Sequence, residues 1–263
     1  MSEPMNTSAT IGPPLPPING SHAECLELVV WQLLDSTFPA GAFAHSGGLE
    51  AARKWNIVTG PDDMREFLRH NLVQTGRSLI PFVSECHLNF ERLHSLDTEL
   101  DAFLSNHVTN RASRAQGRAF LAAAEIAFSS RYGRVSDKDL DRQTESRRGW
   151  WLSELRDQMS NRQLKAHLPV VFGAITRLLE IPLHTAIRIF LYASARDLIS
   201  AAVRLNIVGA LEGQSIQFEI AELIERTAIN AESLSFRDAA QTASVIDLLQ
   251  GTHDRLYTRL FQS

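Results

Sequence analysis

Val29-Val-Trp-Gln-Leu-Leu-Asp-Ser-Thr-Phe-Pro-Ala-Gly-Ala-Phe-Ala-His-Ser-Gly-Gly-Leu-Glu-Ala-Ala52 is the stretch that decides how this chain is built. Leu26, Val29, Val30, Leu33 and Leu34 recur at the spacing of one apolar helix face. Asp35 and Ser36 then favour local side-chain bonds over further helix. Pro39 pushes Phe38 into extended geometry and has no amide to donate. The helix ends there and an elbow follows. Gly41, Gly47 and Gly48 let backbone approach another element, while Phe38, Phe43 and His45 supply more bulk than a solvated loop needs. Leu49, Glu50, Ala51 and Ala52 restart a helix. Asp35, Pro39, Gly41, Gly48, Leu49 and Glu50 are therefore expected to shape the elbow, with Glu50 in a capping role.

Outward from the elbow, punctuation marks further helices. Ser21 and Glu24 have capping-box spacing. Thr59-Gly-Pro-Asp-Asp opens a helix expected over 61–77, and Pro81 must interrupt the apolar run after it. Ser95, with Asp97 and Glu99, reads as another start. A long helix is expected over 106–128, with Val108, Ala112, Ala115, Ala119, Ala122 and Ile126 inward and Arg111, Arg114 and Arg118 on a solvated face. Residues 131–148 carry dense charge and read as a loop. Trp150, Trp151, Leu155 and Met159 mark the next helix, and Leu168-Pro169 starts another. The most regular periodicity runs through Ile187, Phe190, Leu191, Ser194, Leu198, Ala201 and Leu205, which is expected to be a central helix. Helices near 215–227 and 236–249 follow. Alternating strand patterns and fixed-period repeats are missing. The expected fold is all-α: one multi-helix, bundle-like domain over 22–263, with a disordered Pro-rich arm over 1–21.

Composition narrows the function classes. The chain has 263 residues, 44% of them hydrophobic and 21% charged, as in ordinary globular proteins. Two cysteines argue against a disulfide framework and for a reducing compartment. A net charge of -4 gives no reason to expect nucleic acid. No stretch approaches a membrane span, and the first residues match neither a secretory signal nor a transit peptide. Of 26 basic residues only Lys54, Lys138 and Lys165 are lysines; the remaining arginines suit bidentate pairing at interfaces as well as they suit a genomic bias. Nine histidines invite a metal site, yet none of them has helical ligand spacing with an acid between, and Cys-x-x-Cys is missing. Ser46 beside His45 is not a triad, because a triad needs geometry rather than adjacency. Phosphate-loop spacing is missing as well. Neither catalytic residues, a metal site nor a cofactor is expected. The alternative is an all-α enzyme whose cleft uses scattered histidines and carboxylates.

The run from Asp35 to Glu50 resembles the signature near the amino end of the UreF family of urease accessory proteins, in which the position of Phe43 often holds tyrosine. The run His253-Asp-Arg-Leu-Tyr-Thr-Arg-Leu-Phe-Gln-Ser263 is similar to that family's terminal motif. His167 to Gly173 and Leu191 to Val208 resemble its later helices. The resemblance implies a cytoplasmic, homodimeric, non-enzymatic scaffold in nickel delivery to urease. Such a scaffold binds UreD (also called UreH) and recruits the nickel-carrying GTPase UreG. On that reading Phe43, His45, Ser46, Leu256, Tyr257, Arg259, Leu260 and Phe261 face partners, and the tail from Leu256 onward is ordered by UreD rather than by its own body.

Overall fold

The computed structural model describes residues 23–129 and 139–263. Among the described residues every regular element is helical. The expected arm over 1–21 and the Ser21 cap lie outside the described residues. Helix α1 (Ala23–Leu34) leads into the elbow, a short 3-10 turn (Ala42–Ala44) and α2 (Leu49–Lys54). Then come α3 (Pro61–Ser78), α4 (Ile80–Leu88), α5 (Leu93–Phe103) and α6 (His107–Phe128). The second half holds α7 (Asp139–Ser160), α8 (Leu168–Leu178), α9 (Leu183–Arg204), α10 (Ala210–Glu219), α11 (Ala221–Glu232) and α12 (Ser244–Gly251). No helix among the described residues is long and apolar enough to cross a membrane.

Many of the punctuation marks act as expected. Asp35 Oδ1 accepts from the Thr37 amide and hydroxyl, both at 2.7 Å, and this turn closes α1. Asn106 accepts from Val108 N at 3.1 Å and caps α6. Pro61, Pro81 and Pro169 each sit in the first turn of their helices, where a missing amide costs nothing.

Helices α8 and α9 form the centre. Nearly every residue of α8 is buried, and its approach to α4 is close enough to demand glycine. A Cβ on Gly173 would lie 2.4 Å from Val83 O and 3.2 Å from Cys86 Cβ. An aromatic chain runs through this centre: Phe38 meets Phe120 at 5.7 Å, Phe120 stacks on Phe172 at 5.4 Å, and Phe172 meets Phe190 edge-on at 5.1 Å. The elbow is thereby tied to α6, α8 and α9 through Phe38.

Four expectations are corrected. Residues 139–148 belong to α7 rather than to a loop; glutamine, glutamate and arginine are good helix formers, so charge density there misled. Ser95 lies inside α5, not at its start, and Asp97 instead grips the turn that leads into α8. Its carboxylate accepts from the amides of Lys165 (2.7 Å), Ala166 (3.2 Å) and His167 (2.9 Å). On α6 the buried residues are Val108, Gly117, Phe120, Leu121, Ala123 and Ala124, while Ala115 and Ile126 are exposed, so the inward face is rotated from the alanine stripe. Finally, Ile220 separates α10 from α11, and α12 begins only at Ser244.

Candidate partner-binding site

The elbow and the tail, read separately in the sequence, are one structure. Ser46 N donates to Ser263 O at 2.6 Å and Gln262 N donates to Ala44 O at 2.8 Å. The Ser46 hydroxyl adds a bond to Ser263 O at 3.1 Å, and the His45 Nδ1 is hydrogen-bonded to the Ser263 hydroxyl. Glu50, buried at the start of α2, accepts from Leu260 N at 2.7 Å and from Phe261 N at 3.2 Å. His253 Nε2–H donates to Phe261 O at 3.2 Å. Its Nδ1 is buried without a hydrogen-bond partner, 3.9 Å from Glu50 Oε2. At the outer edge, Lys54 Nζ donates to Thr258 Oγ1 at 2.6 Å.

Two glycines make the elbow possible. Gly48 has φ 88°, left-handed backbone that other residues adopt at a cost, and a Cβ there would sit 3.2 Å from Gln250 N. The neighbouring carbonyl of Gly47 accepts from Gln250 Nε2 at 3.3 Å, and Gln250 Oε1 in turn accepts from Thr109 Oγ1 at 2.9 Å. Asn106 Nδ2 bonds Asp247 O at 2.8 Å. These contacts strap α12 to the start of α6 and hold the floor on which the tail lies.

Charge and exposure divide the tail into an inner and an outer face. Phe261 is 5% exposed and lies under the Arg204 guanidinium, 4.2 Å from its ring centre; the same guanidinium lies 4.8 Å from the ring of Phe43. Leu256 is half-buried against the core. Tyr257 is fully exposed and Leu260 is 59% exposed, two large apolar groups aimed at solvent from a fixed backbone. Arg259 Nη1 donates to Asp254 Oδ1 at 3.2 Å. That aspartate also receives Arg111 bidentately at 3.0 and 2.9 Å and His107 at 3.2 Å, and Arg111 above all holds its carboxyl below the usual range. Two arginines of the α6 stripe are thus paired within the chain, Arg111 on Asp254 and Arg114 on Asp101, while Arg118 is exposed.

Beneath the elbow is a cavity of about 220 Å³ between α3, α6, α8 and α9, lined by His45, Asn71, Phe120, Phe190, Asp197 and Ser263 among others. Burial pushes the Asp197 carboxyl up against the pull of Arg196. Burial, helped by Arg111 and His253, pushes the His45 imidazole down to about 4, so the ring is neutral near neutral pH. His45 and Ser46 do not form a relay with each other; both are spent on Ser263. Among the described residues no group of three histidine, cysteine, aspartate or glutamate side chains is arranged to hold a metal ion.

A sequence model of UreF matches residues 58–221. The urease accessory protein F of Arabidopsis thaliana is 34% identical over 244 residues, covering 92% of this chain and 94% of that protein. The chain belongs to the UreF family. Its namesake in Oryza sativa subsp. japonica is 36% identical over 234 residues, 88% of this chain and 83% of that protein. The UreF of Sinorhizobium medicae is 26% identical over 243 residues, 90% and 96% of the two chains.

Within this UreF-family chain the residues picked from the sequence divide clearly. Asp35, Gly48 and Leu49 build the elbow and Pro39 and Gly41 lie exposed on it; Glu50, expected to cap, instead holds the amides of the tail, as His45 and Ser46 hold Ser263. Phe43, Tyr257, Leu260 and Arg259 are exposed around it, whereas Phe261 is an inward anchor. His253, Arg204 and Lys54 were not singled out as site residues. The spacing of His253 from Phe261 carried no local signal, and neither did the stacking of Arg204.

Proposed function

We propose that the chain acts as a non-catalytic scaffold in urease maturation, binding UreD (UreH) through the outer face of the tail and recruiting the GTPase UreG. In this reading the assembly governs GTP hydrolysis and the passage of nickel, the cargo, into the urease active site. The scaffold works in the cytoplasm as a homodimer. Family membership supports the urease role, since the relatives carry the name urease accessory protein. One observation carries the partner surface: a backbone held by Glu50, Ser46 and His253 presents Tyr257 and Leu260 to solvent. Exposed aromatic and aliphatic groups on a pre-ordered backbone bind with little further entropy cost. Phe43 and Arg259 extend the same rim. The test is co-expression with candidate UreD and UreG, comparing the unaltered chain with the Tyr257→Ala/Leu260→Ala pair. Loss of UreD, and of UreG with it, from a normally melting variant supports the reading, and full retention overturns the placement.

A further inference from the structure

Helices α9 and α11 meet at a charged junction far in sequence from the elbow. His184, the second residue of α9, lies between two carboxylates of α11: its Nδ1 is 2.9 Å from Glu232 Oε2 and its Nε2 is 3.1 Å from Glu225 Oε1. Arg188, one turn further along α9, contacts Glu225 Oε2 at 2.9 Å. Glu225, Glu232 and, through Glu225, Arg188 are the charged groups that face the ring among the described residues. The two glutamates are seven residues apart, two turns along one helix face.

A neutral imidazole has one N–H and one lone pair, and an ionised carboxylate only accepts. Two carboxylates on the two ring nitrogens therefore call for both N–H groups, the imidazolium. The nitrogens point to opposite sides of the ring, so the three side chains do not converge on one point as metal ligands must. A cation at the start of α9 opposes its own helix dipole, yet it sits beside the negative C-terminal end of α11, where Glu232 is the last helical residue. Glu232 likewise sits at the wrong end of α11 and beside the positive end of α9.

We infer that His184 is a proton-dependent clamp, tying the last turn of α11 to the first turn of α9 as an imidazolium held by both carboxylates and keeping only one of them when it loses its proton. The neutral ring has a single N–H left, so one of the two carboxylates must lose its donor. Glu225 keeps Arg188 after deprotonation, whereas Glu232 has no other ion-pair partner among the described residues. Glu232, ahead of Glu225, raises the proton affinity of the ring above the ordinary histidine value. The folded ring thus holds its proton more tightly than the unfolded one. The clamp's stabilisation is complete below the unfolded value of about 6.5 and is lost as pH rises through the folded midpoint.

The experiment is a nitrogen-resolved NMR titration of the histidine rings in the full chain, with the His184 signal identified by its loss in His184→Gln. Both ring nitrogens are expected to titrate together out of the imidazolium range, with a midpoint above that of free histidine. Glu232→Gln should lower that midpoint by roughly half a pH unit or more, while Glu222→Gln, an exposed acid of the same helix, should not. The melting difference between the unaltered chain and His184→Gln should shrink as pH passes the midpoint. A midpoint at or below that of free histidine, a midpoint unmoved by Glu232→Gln, or a pH-independent melting difference each overturns the clamp.

Discussion

The Glu50 carboxylate holds the backbone of Leu260, 2.7 Å from its amide, although the two residues are 210 positions apart. The same carboxylate takes the Phe261 amide, so one buried side chain serves two donors that otherwise find no acceptor in the elbow. Glu50→Ala should lower stability by about 2 kcal/mol or more, because two desolvated amides lose their acceptor at once. Glu50→Gln, which keeps one carbonyl oxygen, should cost less. Chemical denaturation of the three proteins gives the ranking, and equal midpoints would falsify the mooring of the tail by Glu50.

Phe261 and Tyr257 should separate stability from binding. Phe261→Ala empties a buried site and uncovers Arg204, and should cost about 3 kcal/mol in unfolding free energy. Tyr257→Ala removes a ring that touches mainly water and should leave the melting temperature unchanged while weakening capture of UreD. Truncation after His253, which on sequence grounds leaves the body untouched, should now lower the melting temperature, since it removes the partners of Ser46, Glu50 and His253. An unaltered melt would mean that the tail adds nothing to the body.

At the elbow rim, Phe43 is 52% exposed with one face on Arg204. Phe43→Tyr keeps that stack and should retain the partners, whereas Phe43→Ala should weaken their recovery by about tenfold if the ring is an interface anchor. Co-purification at matched expression levels reads the difference. Recovery with alanine as good as with phenylalanine would leave the ring a purely local contact.

Acid should destabilise the chain through its buried histidines. Burial pushes His45 and His87 down to about 4, and it pushes His167 down too. Below about pH 6.5 the unfolded chain takes up protons that these rings refuse, so stability falls as pH drops from there toward 4. His87→Gln should flatten that limb of a melting-temperature profile. A profile with the same acid slope in both proteins would show that His87 contributes nothing to it. His184 has the opposite sign and acts on the alkaline side.

Much of the helical architecture was legible because its punctuation is local. Asp35, Pro39, Pro61, Asn106 and Leu168-Pro169 act within a turn of their own positions, where residue type and geometry are directly linked. Distant docking is harder to read. Asp97 reads as a first-turn acid of its own helix and instead grips the turn leading into α8 across the fold. The inward face of α6 follows Gly117 and Phe120 because neighbouring chain crosses there, which an alanine stripe does not foretell. At the candidate site the sequence marked both halves but not their union. The mooring uses backbone amides of Leu260 and Phe261, and an amide has no residue-type signature. Tyr257 and Phe261 looked equivalent as anchors, and only the position of Arg204 and the core distinguishes them.

The distance in sequence between Ser46 and Ser263 also orders events in time. During synthesis the elbow leaves the ribosome more than two hundred residues before the segment that completes it, since Ser46 and Ser263 are 217 positions apart. Until then Glu50, Ser46 and His45 face water, while the helices between them can already assemble from nearer contacts. On the ribosome the elbow therefore cannot shut before residue 263 has been made, and a chain whose elbow is shut has, by that fact, been synthesised at least that far.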